Sequence, residues 1–231
     1  MGNSRFGVLN ANHLKMIAAF TMLLDHMGIL LFPEVQLFRI LGRIAYPIYA
    51  FMIAEGCRYT KNKLRYFLMV CGLGAVCQIV YYITSADTRI NILLTFSLSI
   101  LLIYCLQFAH EAQTWQKEIL WSAVFAAGVL AVYGLCWKFH VDYGFWGIMT
   151  PVLVSFGYIR KFPNWAQVVL LGCGLLLLGT EYTKVQQYAL LSLPLLMLYS
   201  GKRGKAKMKY FFYIFYPVHL AVLQGIAWIV R

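Results

Sequence analysis

Long apolar stretches alternate with short polar ones along almost the whole chain. The first runs from Leu14 to Phe32 and is long enough, as a helix, to cross a bilayer core of ~30 Å. Pro33 and Glu34 then predict a tight turn. Eight further apolar stretches follow, at about 37–58, 65–84, 91–108, 119–137, 144–159, 165–180, 185–200 and 211–230. The pattern predicts an all-α, polytopic transmembrane helix bundle of about nine spans.

Composition supports this class of protein. The chain has 231 residues, of which 61% are apolar and only 12% charged, whereas a soluble domain carries about 25% charged residues. The length suits a single transmembrane domain over residues 1–231, without a separate soluble domain. No small-residue cleavage site follows a short apolar region near the start, so the first apolar stretch is expected to be a retained span.

The net charge of +12 gives information mainly about the loops between the spans. The basic residues lie in short segments between spans, above all 58–65 and 202–209, which favours contact with anionic lipid or a phosphorylated ligand over nucleic acid. A cytoplasmic N-terminus and an outer C-terminus would place most of these cations in the cytoplasm, as the positive-inside rule requires. The six cysteines show no CxxC or Cys/His metal spacing, so we expect buried thiols and no metal.

Asp25 and His26 stand in the middle of the first apolar stretch. A charge at the centre of a spanning helix costs ~2.5–3.5 kcal/mol on insertion scales, so this pair needs a reason. Neighbours on a helix point ~100° apart, and each side chain is therefore expected to find a partner on another helix. The pair is either a histidine general base tuned by a carboxylate, or a structural clamp in which Asp25 pairs with an arginine and His26 is hydrogen-bonded.

Arg39 and Arg43 lie four residues apart and therefore on one face of the second span. They could hold an anionic substrate or neutralise Asp25; alternatively they extend to the outer interface, which is easier for Arg39. Glu55, near the other end of that span, either pairs with Arg58 or Lys61 at the membrane edge or contributes to a site.

Three further polar positions are candidates. His219 follows Pro217 in the last span, where the proline could aim the imidazole at a cavity; the alternative is a hydrogen-bonded interior histidine. Asp142 precedes the sixth span, either as a helix N-cap or as a group that binds an acceptor. Asn91 and Thr95 enter the fourth span from the same side and pose the same question.

Four motifs carry a resemblance to a known family. They are LKMIAAFTMLLDHMG, RILGRIAYPIYAFMIAEGCRYTKNKLRYF, DYGFWG and YFFYIFYPVHL. Together they strongly resemble the TraX family of multi-span membrane proteins, which is named after the pilin acetylase of conjugative plasmids. The likeness covers the first third of the chain and returns at Asp142 and at the C-terminus; Tyr46 stands where Phe is common.

The resemblance implies a membrane-embedded acetyltransferase, related to the wider transmembrane acyltransferases and located in a bacterial cytoplasmic membrane. It would move an acetyl group from cytosolic acetyl-CoA to an acceptor amine or hydroxyl on a protein, a glycan or a small molecule. The resemblance points to a set of site residues in this chain: Asp25, His26, Arg39, Arg43, Glu55, Asn91, Asp142 and His219.

We expect the following roles. His26 acts as general base or transient acyl carrier, Asp25 or another carboxylate holds its imidazole, and Arg43 stabilises the oxyanion or grips the acceptor. Substrate binding is assigned to Arg39, Glu55, Asn91, Asp142 and His219. The nucleotide end of acetyl-CoA is expected to dock on the basic segment, which comprises Arg58, Lys61, Lys63 and Arg65.

A different class of function uses the same residues. A proton-coupled transporter or flippase could employ Asp25, Arg43 and His219 as a relay or substrate site. Inverted repeats would favour it, and the sequence shows none. A non-catalytic scaffold is the third possibility, and it predicts that His26→Ala leaves the phenotype intact. The acceptor and the oligomeric state stay open.

Overall fold

The computed structural model describes residues 7–85, 89–181, 184–206 and 208–230, and these are mostly helical. The α-helices are α1 Ala11–Leu30, α2 Gln36–Gly42, α3 Ala45–Tyr59, α4 Lys63–Ser85, α5 Ile92–His110, α6 Trp115–Lys138, α7 Gly144–Ile159, α8 Asn164–Glu181, α9 Ser192–Met197 and α10 Lys209–Val230. A 3₁₀ helix, Lys184–Leu191, precedes α9. Extended pairing within the described ranges is confined to two single bridges, Leu9 with Tyr199 and Ile90 with Val141. The all-α prediction is confirmed.

Among the residues that the structure describes, five helical stretches are long and apolar enough to cross a membrane. They are Gln36–Tyr59, Lys63–Ile83, Ile92–His110, Trp115–Lys138 and Asn164–Glu181, and two shorter apolar helices cover Gly144–Ile159 and Ile214–Val230. The chain is an integral, polytopic membrane protein, as predicted. Parts of the predicted polar segments lie outside the described residues, namely 1–6, 86–88, 182–183 and 207, and so does the last residue, 231.

The second predicted span, 37–58, is divided into α2 and α3. Arg43 and Ile44 form a turn, and their backbone N–H groups donate to Ile40 and Leu41. The physical reason is Pro47: it has no N–H to give the carbonyl of Arg43, and its ring would clash with that carbonyl in a continuous helix. The chain therefore turns at Arg43 and begins a new helix at Ala45.

The eighth predicted span, 185–200, is also not one continuous α-helix. The 3₁₀ helix Lys184–Leu191 is followed by the six-residue α9. Pro194 lies in the first turn of α9, where a missing N–H is tolerated, and it prevents an α-helix from running through from the preceding segment. The other predicted spans after the second agree with the observed helices to within a few residues at most ends.

The chain divides into two compact units, Met1–Met52 with Gly179–Arg231, and Ile53–Leu178. The single domain over residues 1–231 stays a prediction. In the first unit, α1 packs against α2 and α10, and α2 packs against the 3₁₀ helix. Leu14, Ala18 and Ala19 of α1 are buried there, and small residues such as the two alanines allow close helix approach in membranes.

The second unit is built around α5, which packs against α4, α6 and α7. The buried residues of α5 include Ile100 and Ile103 together with the hydroxyl-bearing Thr95, Ser97 and Ser99. Thr95 donates to the carbonyl of Asp142 at 3.0 Å, and Ser99 donates to the carbonyl of Ile148 at 2.8 Å. In a membrane the hydrophobic effect does not drive helices together, because lipid is as apolar as their side chains. Hydrogen bonds between helices therefore contribute to their association.

Candidate active site

The carboxylate of Asp25 lies between two arginines of α2 and the turn that follows it. Arg39 Nη1 donates to Oδ1 at 2.9 Å, and Arg43 Nη2 reaches Oδ1 at 2.9 Å and Oδ2 at 3.0 Å. The side chains of Asp25 and Arg43 are each 13% exposed, and that of Arg39 is 33% exposed. Of the interpretations left open, the structure therefore shows that both arginines neutralise Asp25.

Gly42 makes this ion-pair triad (Asp25, Arg39 and Arg43) possible. A Cβ atom at Gly42 would fall 2.6 Å from Cγ of Asp25 and closer still to its Cβ. Gly28 likewise lets α1 approach α2, because a Cβ there would lie 2.9 Å from Cβ of Phe38. The glycines of the DHMG and RILGR motifs thus bring the carboxylate of one helix against the backbone of the next.

Gly42→Ala is expected to lower the free energy of unfolding by about 1–3 kcal/mol, the range for overpacking. The added methyl group must displace the Asp25 side chain, and so the two ion pairs weaken with it. The midpoint of thermal unfolding in detergent measures this effect. Gly225→Ala in α10 is the matched control, since nothing lies within 4 Å of its added Cβ; it should be neutral or slightly stabilising. Equal midpoints for the two variants would contradict this account of Gly42.

Gln186, from the 3₁₀ helix, extends the polar cluster. Its Oε1 accepts from Arg43 Nη1 at 3.0 Å, and the residue is 2% exposed. Arg43 thus holds Asp25 with Nη2 of its guanidinium and Gln186 with Nη1. The planar fork of an arginine suits this double role.

His26 and His219 form a hydrogen-bonded pair between α1 and α10. Nδ1 of His26 lies 3.0 Å from Nε2 of His219, and Nδ1 of His219 lies 2.7 Å from the carbonyl oxygen of Phe215. The ring of His219 stacks on that of Phe215, with centroids 4.8 Å apart, and His219 is 5% exposed. Both candidate histidines of the sequence therefore belong to one contact.

This chain of bonds assigns the protons of the neutral pair. A carbonyl only accepts, so Nδ1 of His219 carries hydrogen and donates to Phe215. Nε2 of a neutral His219 then accepts, and Nδ1 of His26 must donate to it. The lone pair of His26 is left on Nε2. Neutral imidazole with its other nitrogen held in this way is the form that a general base needs.

The structure corrects the expected partner of His26. A carboxylate was expected to hold its imidazole, whereas His219 contacts its Nδ1. The reason is helical geometry: Asp25 and His26 point ~100° apart, so Asp25 faces α2 while His26 faces α10. The expectation that each of the two residues has its partner on another helix is confirmed.

Glu55 belongs to the second unit and takes part in a different contact. Tyr158 donates its hydroxyl to Glu55 Oε2 at 2.7 Å, and the guanidinium of Arg58 lies 4.6 Å from the centroid of the Tyr158 ring. Glu55 is 8% exposed. Tyr158 of α7 is thus a partner that the sequence did not predict for Glu55, and pairing of Glu55 with Arg58 or Lys61 stays a prediction.

The basic segment connects α3 to α4. Lys61 and Arg65 are exposed, whereas Lys63 lies 3.4 Å from Glu111 and 4.3 Å from the ring centroid of Phe108. Asn62 caps α4 by accepting from the N–H of Arg65 at 2.8 Å. The four predicted cations thus belong to one unit, and Arg58, Lys61 and Arg65 are exposed.

Asn91 is the N-cap of α5. Its Oδ1 accepts from the N–H groups of Leu93 and Leu94, and its Nδ2 donates to Gly74 and Gln78. The N-cap of α7 is Tyr143, in left-handed backbone at φ 61°, so the predicted N-cap position of Asp142 is off by one residue. Substrate binding by Asn91 and Asp142 stays a prediction.

Sequence reasoning missed three contributors: Gly42, Gln186 and Tyr158. Gly42 stands inside the RILGR motif between the two arginines, and Gln186 is a polar residue in an apolar stretch; both were visible signals. Tyr158 offers no signal among so many aromatics. Across the described ranges no three His, Cys, Asp or Glu side chains are placed to hold a metal ion, and the absence of a metal stays a prediction.

Comparison with known proteins gives the family. The family described as TraX protein matches residues 10–227. A probable fimbrial assembly protein, FimC of serogroup H1 from Dichelobacter nodosus, is 26% identical over 93% of this chain and 94% of its own length. The uncharacterized protein RP591 of Rickettsia prowazekii (strain Madrid E) is 42% identical over 22% of this chain and 21% of its own length. No solved structure matches. The chain belongs to the TraX family.

Proposed function

We propose that this protein is a membrane-embedded acetyltransferase that uses acetyl-CoA as acyl donor. The observation that carries the proposal is the His26–His219 hydrogen bond, with His219 held in turn by the carbonyl of Phe215. It leaves a basic nitrogen, Nε2 of His26, on the residue next to a salt-bridged aspartate. Ionisable groups at membrane depth are functional by default, since lipid makes them costly.

The reaction follows from that nitrogen. An acceptor hydroxyl or amine attacks the thioester carbonyl while Nε2 of His26 takes its proton. A C–O or C–N bond forms and the C–S bond breaks. The proton on Nε2 then goes to the departing thiolate, which leaves as free CoA. His219 keeps the imidazole of His26 in the reactive tautomer, and the proton on Nδ1 of His219 stays there, donated in a hydrogen bond to the Phe215 carbonyl.

Arg43 has a supporting role in this scheme. Its guanidinium holds the Asp25 carboxylate and Gln186, and we assign it to positioning of the cluster. Its predicted direct contact with the oxyanion, and the substrate contact predicted for Arg39, stay predictions.

The donor nucleotide is proposed to bind at the basic segment. Lys61 and Arg65 are exposed there, and phosphates attract such clustered cations. This assignment goes together with a cytoplasmic N-terminus, because acetyl-CoA is cytosolic. One relative is a probable fimbrial assembly protein, which supports testing a fimbrial subunit first among protein acceptors.

The experiment uses the full chain in nanodiscs with acetyl-CoA carrying a labelled acetyl group. We expect CoA to bind, free CoA to appear, and label to pass to an acceptor from a panel of fimbrial protein, glycan and small amines or alcohols. Folded protein that neither binds CoA nor releases it from acetyl-CoA would refute the proposal. Solute uptake driven by a proton gradient in the same preparation would favour a transporter instead.

A further inference from the structure

A buried amide donor stands at the edge of the ion-pair triad. Gln186 is 2% exposed, and its Nε2 has no hydrogen-bond partner among the described residues. Leaving a buried donor unpaired costs about 1–3 kcal/mol. A group of this kind in a native structure calls for an explanation, and one explanation is a ligand.

The orientation of this amide follows from its neighbour. Arg43 offers donors only, so the oxygen of Gln186 must face the guanidinium. The opposite amide orientation would place two donors against each other. Nε2 therefore points away from Arg43, with its hydrogens available to an acceptor.

The charge of the surroundings specifies that acceptor. Asp25 brings one negative charge to the triad, and Arg39 and Arg43 bring two positive ones. The triad thus carries one positive charge in excess, in a site of low exposure where electrostatic interactions are strong. A neutral donor beside excess positive charge matches an oxygen that bears negative charge.

We propose that Gln186 is a ligand-binding residue whose Nε2 donates to an anionic oxygen of the reacting molecules. Two sources offer this chemistry: the oxyanion of the tetrahedral intermediate, and a carboxylate on the acceptor. Telling these two sources apart requires that the proposed acetyl transfer takes place. The binding of an anionic oxygen by Gln186 does not depend on that reaction.

The first test is binding of acetate ion by the full chain in detergent. Thermal unfolding is followed in sodium acetate and in sodium chloride of equal ionic strength. We expect acetate to raise the midpoint of the wild type and of Gln187→Glu, an exposed neighbour, and to leave that of Gln186→Glu unchanged. Gln186→Glu keeps an oxygen for Arg43 and removes the donor. Gln186→Met removes the donor without adding charge, and acetate should leave its unfolding midpoint unchanged as well.

The second test separates the two sources through acetyl-CoA turnover. Loss of an oxyanion donor is expected to lower kcat about 10²–10³-fold in Gln186→Glu, with KM nearly unchanged. Loss of a carboxylate contact would raise the KM for the acceptor and preserve kcat. Absence of turnover in the wild type would refute the acetyltransferase proposal but not the anion site. The anion site is tested by the shift of the unfolding midpoint in acetate. Acetate shifts in both Gln186 variants equal to that of Gln187→Glu would overturn the inference.

Discussion

His26→Ala is expected to lower the rate of CoA release from acetyl-CoA by about 10²–10⁴-fold, the usual contribution of a positioned general base. The variant removes the Nε2 lone pair that receives the acceptor's proton. CoA binding should persist, because the basic segment proposed to hold the nucleotide does not include His26. Stopped release with retained binding, measured on the same nanodisc preparation, is the expected result.

His219 allows a graded test of the same step. His219→Ala removes the acceptor for Nδ1 of His26, so the imidazole can exchange tautomers and the loss of rate should be smaller. His219→Gln offers a carbonyl oxygen to the same proton and should restore part of the rate. His140→Ala, at an exposed position after α6, is the control. A His26→Ala protein that turns over as fast as His140→Ala would rule out His26 as the base.

Asp25→Asn is expected to destabilise the fold by about 3–5 kcal/mol, the range for breaking a buried ion pair from one side. The substitution leaves the guanidinium of Arg43 at 13% exposure without its counter-charge. Arg43→Gln should lower stability more than Arg39→Gln, because Arg43 donates three hydrogen bonds to Asp25 and Gln186, whereas Arg39 donates one to Asp25 and is more exposed. Thermal or denaturant unfolding in detergent ranks the three variants.

Glu111→Gln provides a matched control for the loss of a carboxylate. Glu111 pairs with Lys63 at 3.4 Å, but its side chain is 63% exposed, and exposed pairs contribute only about 0–1 kcal/mol. Asp25→Asn that is no more destabilising than Glu111→Gln would show that the triad lies in a better hydrated environment than its exposure indicates. The ion pairs of the first unit would then be dispensable for folding.

The resemblance of the site motifs to TraX proteins was sufficient to name most of the cluster. Asp25, His26, Arg39, Arg43 and His219 all meet in one unit, although His219 follows His26 by 193 residues. Glu55, Asn91 and Asp142 lie in the other unit, where Glu55 bonds to Tyr158 and Asn91 caps a helix. Motif membership therefore does not show which of these residues lie together, and the substrate-binding roles of Glu55, Asn91 and Asp142 stay predictions.

The choice of partners could not be predicted from spacing. Their adjacency in the sequence does not exclude a contact between Asp25 and His26. The rotation between neighbouring helical positions directs Asp25 to α2 and His26 to α10. The role of Gly42 could not be predicted from spacing either. The sequence shows a glycine in the motif, but not that the Asp25 carboxylate lies where a side chain at Gly42 would be.

The sequence alone determined the all-helical membrane class, the positions of most helices and the candidates Asp25, His26, Arg39, Arg43 and His219. These properties depend on short stretches of sequence. Each span must be apolar enough for lipid, and a charged residue within a span is costly and therefore stands out in the sequence. Tertiary structure alone decided the breaks at Arg43 and within 185–200, the Asp25–arginine and His26–His219 pairs, and the position of Gln186. Those depend on which helices pack together and on where a proline removes a backbone donor.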